Sequence, residues 1–284
     1  MSDLDRTLIY SPSALMLAGS DWDAPRLLCV EVYGGRPLSF VTERAAGLLA
    51  QVAETGMLVP TTTRTVEQYQ RIHLPGPAPR YAICANGGRL LVDGVEDRDF
   101  TAAVEDRLAA SAPHAEILDE LTRVSDAGGA PAFVEKVRDA AGLFCYAVVN
   151  RSMLPSGWLE DLTEFADERA WGVSLQGRKV YLVPAPLTKA AAAAEVAQRL
   201  GVSTMAAAGD SLLDGELLEV ADRAIRPNHG ELADTGWARP HVDVTEADGV
   251  AAGEQIAEWM LEQVTTGPWP AGSDHQPPLP GHPN

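Results

Sequence analysis

Two aspartates separated by one residue, Asp3 and Asp5, stand just ahead of Thr7 near the start of the chain. In an extended segment that spacing puts both side chains on one face. If the backbone turns out of the strand there, the two carboxylates converge on one bound cation. Hydroxyls, a lysine and further carboxylates, the groups that hold a hard cation and a phosphoryl oxygen, recur downstream. Thr62 and Arg64 lie in Thr61-Thr62-Thr63-Arg64-Thr65, Asn86 opens Asn86-Gly87-Gly88, Lys189 begins an Ala-rich helical run, and Asp210 and Asp214 bracket Ser211-Leu212-Leu213. Each has a structural alternative. Thr62 suits a helix cap, Arg64 a surface arginine, Asn86 a hairpin turn, and Asp210 and Asp214 an Asx turn and a helix's first turn. Lys189 stands apart, because a cation at a helix N-terminus opposes the dipole. Its only companions among the lysines are Lys136 and Lys179, so the placement favours function.

The elements around these residues predict a way to bring them together. Gly34-Gly35 between two alternating apolar runs reads as a hairpin, Thr42 to Glu54 as a capped helix, and Met57 to Pro60 as a short buried strand running into the Thr62 cluster. Tyr81 to Ala85 and Arg89 to Val92 read as strands flanking Asn86. After Lys189 come a helix to Leu200, a strand Thr204 to Ala208 ending at Gly209, a strand Ala224 to Pro227 and a final helix from Gly249 to Val264. Strand, polar turn, helix is the rhythm of a parallel α/β sheet, whose strands present their carboxyl ends at one edge. The Asp3/Asp5, Thr62/Arg64, Asn86 and Asp210/Asp214 clusters then meet there. From residue 96 to 184 the texture changes to helices (Phe100 to Ala110, Glu116 to Val124, Phe133 to Ala141, Trp158 to Ala166) and strands (Leu143 to Val149, Trp171 to Gln176, Lys179 to Val183). This reads as an inserted α+β cap. The expected organisation is core 1–95, cap 96–184, core 185–266 and a disordered Pro/Gly-rich tail 267–284. Lys136, Arg151 and Arg178 are cap cations expected at the surface.

A net charge of -18 over 284 residues argues against nucleic acid, since no stretch neutralises a phosphate backbone. A small phosphate ester remains compatible where a metal and a few cations focus on it. Cys29, Cys84 and Cys145 sit far apart in apolar runs, as buried reduced thiols of a cytoplasmic protein do. No apolar run reaches membrane-spanning length and no signal segment opens the chain.

Taken in order, these motifs resemble those of the haloacid dehalogenase-like (HAD) phosphohydrolase superfamily, and the combination is similar to its capped sugar-phosphatase branch, which includes sucrose-phosphate phosphatase-like proteins. Asp3, Asp5 and Thr7 match the first motif, Thr62 the second, Lys189 the third, and Gly209 to Asp214 the fourth. The resemblance runs from Ser2 to about Leu232 and implies a Rossmann-like parallel core with an α+β cap. It implies that Asp3 is the nucleophile forming an aspartyl-phosphate, that Asp5 is the general acid and base, and that Thr62 and Lys189 hold the phosphoryl oxygens. Mg2+ would be held by the Asp3 and Asp210 carboxylates and the Asp5 backbone carbonyl, with Asp214 orienting the metal shell or Lys189. Thr7, Arg64 and Asn86 would serve substrate binding. Two positions depart from the pattern: Arg6 replaces the Gly usual after the second Asp, and Thr63 stands where many members have Gly. A phosphomutase using the same aspartyl-phosphate, and a catalytically weak phosphometabolite-binding protein, are the alternatives. These motifs specify neither the phosphate ester nor the oligomeric state. In this fold a central strand of typically about 5–6 residues precedes the first motif, yet only Met1 and Ser2 precede Asp3. The expectation is a natural start a few apolar residues upstream.

Overall fold

The computed structural model describes residues 1–126 and 133–266; the tail 267–284, expected to be disordered, lies outside the described residues. The chain enters the central sheet with a single residue. Ser2 bridges Ala208 on one side and Pro60 on the other, both in parallel. From Leu4 the backbone coils tightly, the amides of Thr7, Leu8 and Ile9 all donating to the Leu4 carbonyl. A hairpin follows, β1 (Leu27–Tyr33) and β2 (Arg36–Thr42). Gly34 and Gly35, with φ of 57° and 73°, supply the left-handed pair that a tight two-residue turn needs. Thr42 then caps α1 (Glu43–Glu54) by accepting the Ala45 amide. The expected strand Met57 to Pro60 contracts to two bridging residues, Pro60 and Thr61. Next come α2 (Val66–Tyr69), β3 (Tyr81–Cys84), β4 (Arg89–Val92) and β5 (Val95–Glu96).

The middle of the chain comprises α3 (Arg98–Leu108), α4 (His114–Asp126), β6 (Val134–Ala140), β7 (Phe144–Val149), α5 (Trp158–Asp167), β8 (Trp171–Gln176) and β9 (Lys179–Pro184). Its four strands form one antiparallel sheet in the order β6-β7-β9-β8. α4 and α5 pack on it through Ile117, Leu121, Leu162 and Ala166. The helix expected over Phe133 to Ala141 is corrected here to strand β6. Val134 and Val137 are three apart, a helical spacing, but the register slips between Val134 and Lys136. That bulge breaks the two-residue alternation by which a strand is recognised.

The chain returns to the first sheet with α6 (Lys189–Leu200), β10 (Ala206–Ala208), α7 (Gly215–Val220), β11 (Arg223–Arg226), α8 (Glu231–Asp234), β12 (Val242–Val244) and α9 (Gly249–Thr266). Thr61 pairs with Ile83 in parallel, so the sheet runs β3, Pro60–Thr61, Ser2, β10, β11, β12, all parallel, with β4 added antiparallel outside β3 and β5 antiparallel outside β4. α1 and α9 cover one face through Leu49, Val52, Ile256 and Met260, while α6 and α7 cover the other through Ala193, Val196, Leu217 and Leu218. This is the expected architecture, a Rossmann-like parallel core carrying an inserted α+β cap. Cys84 and Cys145 are buried as expected, but Cys29 is exposed. It precedes the buried Val30 and so points to the opposite face of β1. Among the described residues, no helix is long and apolar enough to cross a membrane.

Candidate active site

The residues that follow the parallel strands gather at the sheet's carboxyl edge. Asp3 follows Ser2, its amide donating to the Ala208 carbonyl at 2.9 Å; Asp210 and Asp214 follow β10. Lys189, at the first turn of α6, is fully buried, and its Nζ donates to Asp3 Oδ1 and to Asp214 Oδ1 at 2.6 Å each. Thr7 donates its hydroxyl to Asp3 Oδ2 at 3.4 Å. Asp3, Asp210 and Asp214 each offer an oxygen within 4.8 Å of the others.

Local structure explains why these groups hold their places. Asp214 Oδ2 accepts from the amides of Asp210 and Ser211 and from the Ser211 hydroxyl, at 3.2, 3.0 and 2.8 Å. The loop therefore closes on its own carboxylate. Gly209 makes room for that closure, since a Cβ there would sit 2.4 Å from the Asp214 Cβ. Asn86, at φ 56°, donates Nδ2 to the Leu187 carbonyl at 2.8 Å, and Gly87 lies so close to Thr188 that a Cβ would meet its carbonyl oxygen at 2.2 Å. The turn after β3 thus braces the segment that presents Lys189. Thr62, buried, accepts the Arg64 amide at 3.1 Å. His229 accepts the Gly249 amide at Nδ1, so its Nε2 carries the proton donated to the Arg6 carbonyl at 2.9 Å. It supports the loop after Asp5. Arg6 occupies the left-handed region at φ 65°, and its Nε lies 3.4 Å from Asp210 Oδ2.

The electrostatics follow from burial. Desolvation, with Asp214 and Asp5 nearby, pushes the Asp3 carboxyl up to about 7 despite the pull of Lys189. Asp210 is raised well above the usual range by burial first, then by Asp3 and Asp214. Desolvation works against the Lys189 ammonium, yet Asp214 and Asp3 overcome it and raise its pKa. Asp5 behaves differently. Its side chain remains 42% exposed, and Arg64 donates Nε to its Oδ2 and Nη2 to its Oδ1 at 2.7 and 2.8 Å. Desolvation pushes the Asp5 carboxyl upward, but this fork outweighs it and holds the group below the usual range.

Asp3, Thr7, Lys189, Asp210 and Asp214 therefore form one contact network, Asp5 and Arg64 form an adjoining pair, and Thr62 and Asn86 shape the loops that carry Arg64 and Lys189. Three participants escape a sequence reading. Glu31, on the hairpin, reaches Arg64 at 2.8 Å. Glu231 ties the cap to the core by accepting the Leu175 amide and Ser174 hydroxyl from β8 and the Leu212 amide from the Asp210 loop, at 2.8, 2.7 and 2.9 Å. Lys179 lies over the Tyr146 and Tyr181 rings at 5.5 and 5.8 Å. Tyr181 first, and then Asp5 and Tyr146 against desolvation, hold its ammonium above the usual lysine range. Its rarity as one of the lysines was the only available signal. The cap cations Lys136, Arg151 and Arg178 are exposed, with Arg178 paired to Glu135.

No protein-family model matches the chain, and no curated protein matches it. Solved structures do. The sucrose-phosphatase from Synechocystis sp., determined with sucrose and phosphate, aligns with a TM-score of 0.56 at 16% identity, covering 78% of this chain and 93% of that one. A HAD subclass IIB sugar phosphatase aligns at 0.52 and 10% identity, covering 92% and 98%. The C-terminal domain of trehalose-6-phosphate phosphatase from C. albicans aligns at 0.51 and 10% identity, covering 92% and 90%. The chain shares the core-and-cap fold of HAD-superfamily sugar phosphatases.

Proposed function

We propose that this protein is a Mg2+-dependent phosphohydrolase acting on a small phosphorylated metabolite, a sugar phosphate being the class suggested by the structures it resembles. The observation that carries the reading is the buried Lys189 held between Asp3 and Asp214, with Asp210 beside them, at the carboxyl edge of the sheet and under the cap. A cluster of carboxylates kept out of water around one ammonium is costly unless it serves a charge. Asp3 is the nucleophile: its carboxylate attacks phosphorus and forms an aspartyl-phosphate, dividing one difficult displacement into two. Asp5 gives a proton to the leaving oxygen and later takes one from the attacking water. Lys189 and Thr62 stabilise the transferring oxygens, and Arg64, Thr7 and Asn86 orient the substrate and the loops around it.

The donor set fits a hard cation. Asp3 and Asp210 are all-oxygen ligands of the kind Mg2+ takes, with the Asp5 backbone carbonyl as a third; Asp214, already engaged by Lys189 and Ser211, supports the shell. When bound, the ion neutralises charge on the phosphoryl oxygens. Burial first, and behind it repulsion from neighbouring carboxylates that no cation neutralises, raises the Asp3 and Asp210 carboxyls.

Phosphate release from a panel of phosphate esters, with and without Mg2+, tests the reading, and Asp3→Asn is expected to abolish it. Turnover that persists in Asp3→Asn refutes the aspartyl-phosphate. A phosphorylated co-product in place of free phosphate would mark a phosphomutase. Tight ester binding without turnover would mark a phosphometabolite-binding protein.

A further inference from the structure

Strand β1 carries an acid on the side where its neighbours are apolar. The register of the hairpin slips on both sides of Glu31, and consecutive residues Val30 and Glu31 are both buried, which regular alternation forbids. Bulges of this kind re-aim a side chain, and they concentrate beside active sites. Here the result is a carboxylate only 2% exposed. Glu31 Oε2 accepts the Ser39 hydroxyl at 2.6 Å and lies 2.8 Å from Arg64 Nη1, while Oε1 lies 3.5 Å from Arg71 Nε.

Each guanidinium nitrogen of Arg64 thereby has a partner. Its Nη1 meets Glu31, its Nε and Nη2 form the fork on Asp5, and Nη2 also donates to Ser39 Oγ at 3.3 Å. A guanidinium is planar and rigid, so fixing one edge fixes the direction of the other. Without Glu31, Arg64 would be anchored by the backbone after Thr62, by the longer bond to Ser39 Oγ and by Asp5 itself, a half-exposed side chain free to turn with it.

We propose that Glu31 is a positioning residue of the phosphoryl-transfer reaction: it holds Arg64, which aims the Asp5 carboxyl toward the leaving oxygen and yields one arm of its fork when that carboxyl carries the proton to be transferred. This rests on the phosphohydrolase reading given above. The competing role is purely mechanical, a buried ion pair that clips the hairpin to the core. The two roles differ in their consequences. A misaimed proton donor slows only those esters whose leaving oxygen needs the proton, whereas a loosened hairpin lowers the rate on every ester alike.

The test compares phenyl phosphate, whose phenolate leaves poorly without a proton, with p-nitrophenyl phosphate, whose leaving group departs readily as the anion. Both are assayed with the full chain and Mg2+. Glu31→Gln keeps the volume but gives Arg64 a neutral partner. It is expected to lower kcat roughly fivefold on phenyl phosphate and less than about twofold on p-nitrophenyl phosphate, a fraction of the roughly 100-fold that a general acid commonly supplies. Ser39→Ala, which removes the hydroxyl shared by Glu31 and Arg64, is expected to shift the same ratio in the same direction by a smaller factor, and it decides the matter if Glu31→Gln does not fold. Equal slowing of both esters, or no change in their ratio, overturns the positioning role while leaving the phosphohydrolase reading intact. Absence of turnover of either ester, or of any in the panel, by the unaltered chain overturns that reading and this one with it.

Discussion

Lys189→Met replaces a fully buried ammonium with an apolar side chain of similar length. In the native arrangement Nζ lies 2.6 Å from both Asp3 Oδ1 and Asp214 Oδ1, so the substitution leaves two buried carboxylates without their shared cation. Breaking a buried pair by removing one partner costs about 3–5 kcal/mol, against a total folding stability of about 5–15 kcal/mol for a typical domain. The cost depends on pH, and its sign follows from Asp3. Burial lifts that carboxyl from 3.8 to about 7, so between those values the folded chain holds a proton that the unfolded chain releases. The carboxyl therefore favours folding fully below 3.8, and its contribution is lost as pH rises through about 7. Removing Lys189 takes away the attraction that opposed this shift, so the pKa climbs further and the loss continues above 7, at up to about 1.4 kcal/mol per pH unit for each carboxyl affected. Urea unfolding followed by circular dichroism at about pH 5.5 and about pH 8 should show a deficit at both, wider at the higher pH by more than about 1 kcal/mol. A deficit below about 1 kcal/mol at the higher pH, or one independent of pH, would refute the assignment of Lys189 as the counter-ion of two buried carboxylates.

Three further outcomes follow from the same geometry. Mg2+ should raise the melting temperature, by the equivalent of about 2.7 kcal/mol at a hundredfold excess over its Kd. Because Asp3 and Asp210 are raised and must give up protons to bind it, the rise should be larger at about pH 8 than at about pH 6; the opposite order in a thermal-shift titration would count against that site. Gly209→Ala places a Cβ 2.4 Å from the Asp214 Cβ and should cost at least about 1–3 kcal/mol together with phosphate release, measured by unfolding and by turnover. Glu231→Ala removes the acceptor of Leu175, Ser174 and Leu212, and hydrogen exchange should report faster opening at Leu175, by about tenfold or more, with the core amides of β10 unchanged.

The catalytic candidates at Asp3, Lys189, Asp210 and Asp214 could be read from the sequence because each sits where a strand or a loop meets a helix, and local residue order alone defines such a boundary. Their convergence needed only the rule that parallel strands end at one edge. The partners of Asp5 could not be read in this way. Glu31 lies in Leu-Leu-Cys-Val-Glu-Val, where alternation assigns neighbouring residues to opposite faces, and only the bulge in register with β2 turns it inward beside Val30. Glu231 looks like an ordinary first-turn acid of a short helix until β8 is laid against it. Helix-like spacing in β6 was misleading for the same reason, a slipped register that exists only in the paired strands. Arg6 at φ 65° and the Glu31 bulge both break local rules, and both lie within one or two contacts of Asp5. Departures from local preference persist where surrounding structure holds them for a purpose. At these two positions they support the site independently of any motif.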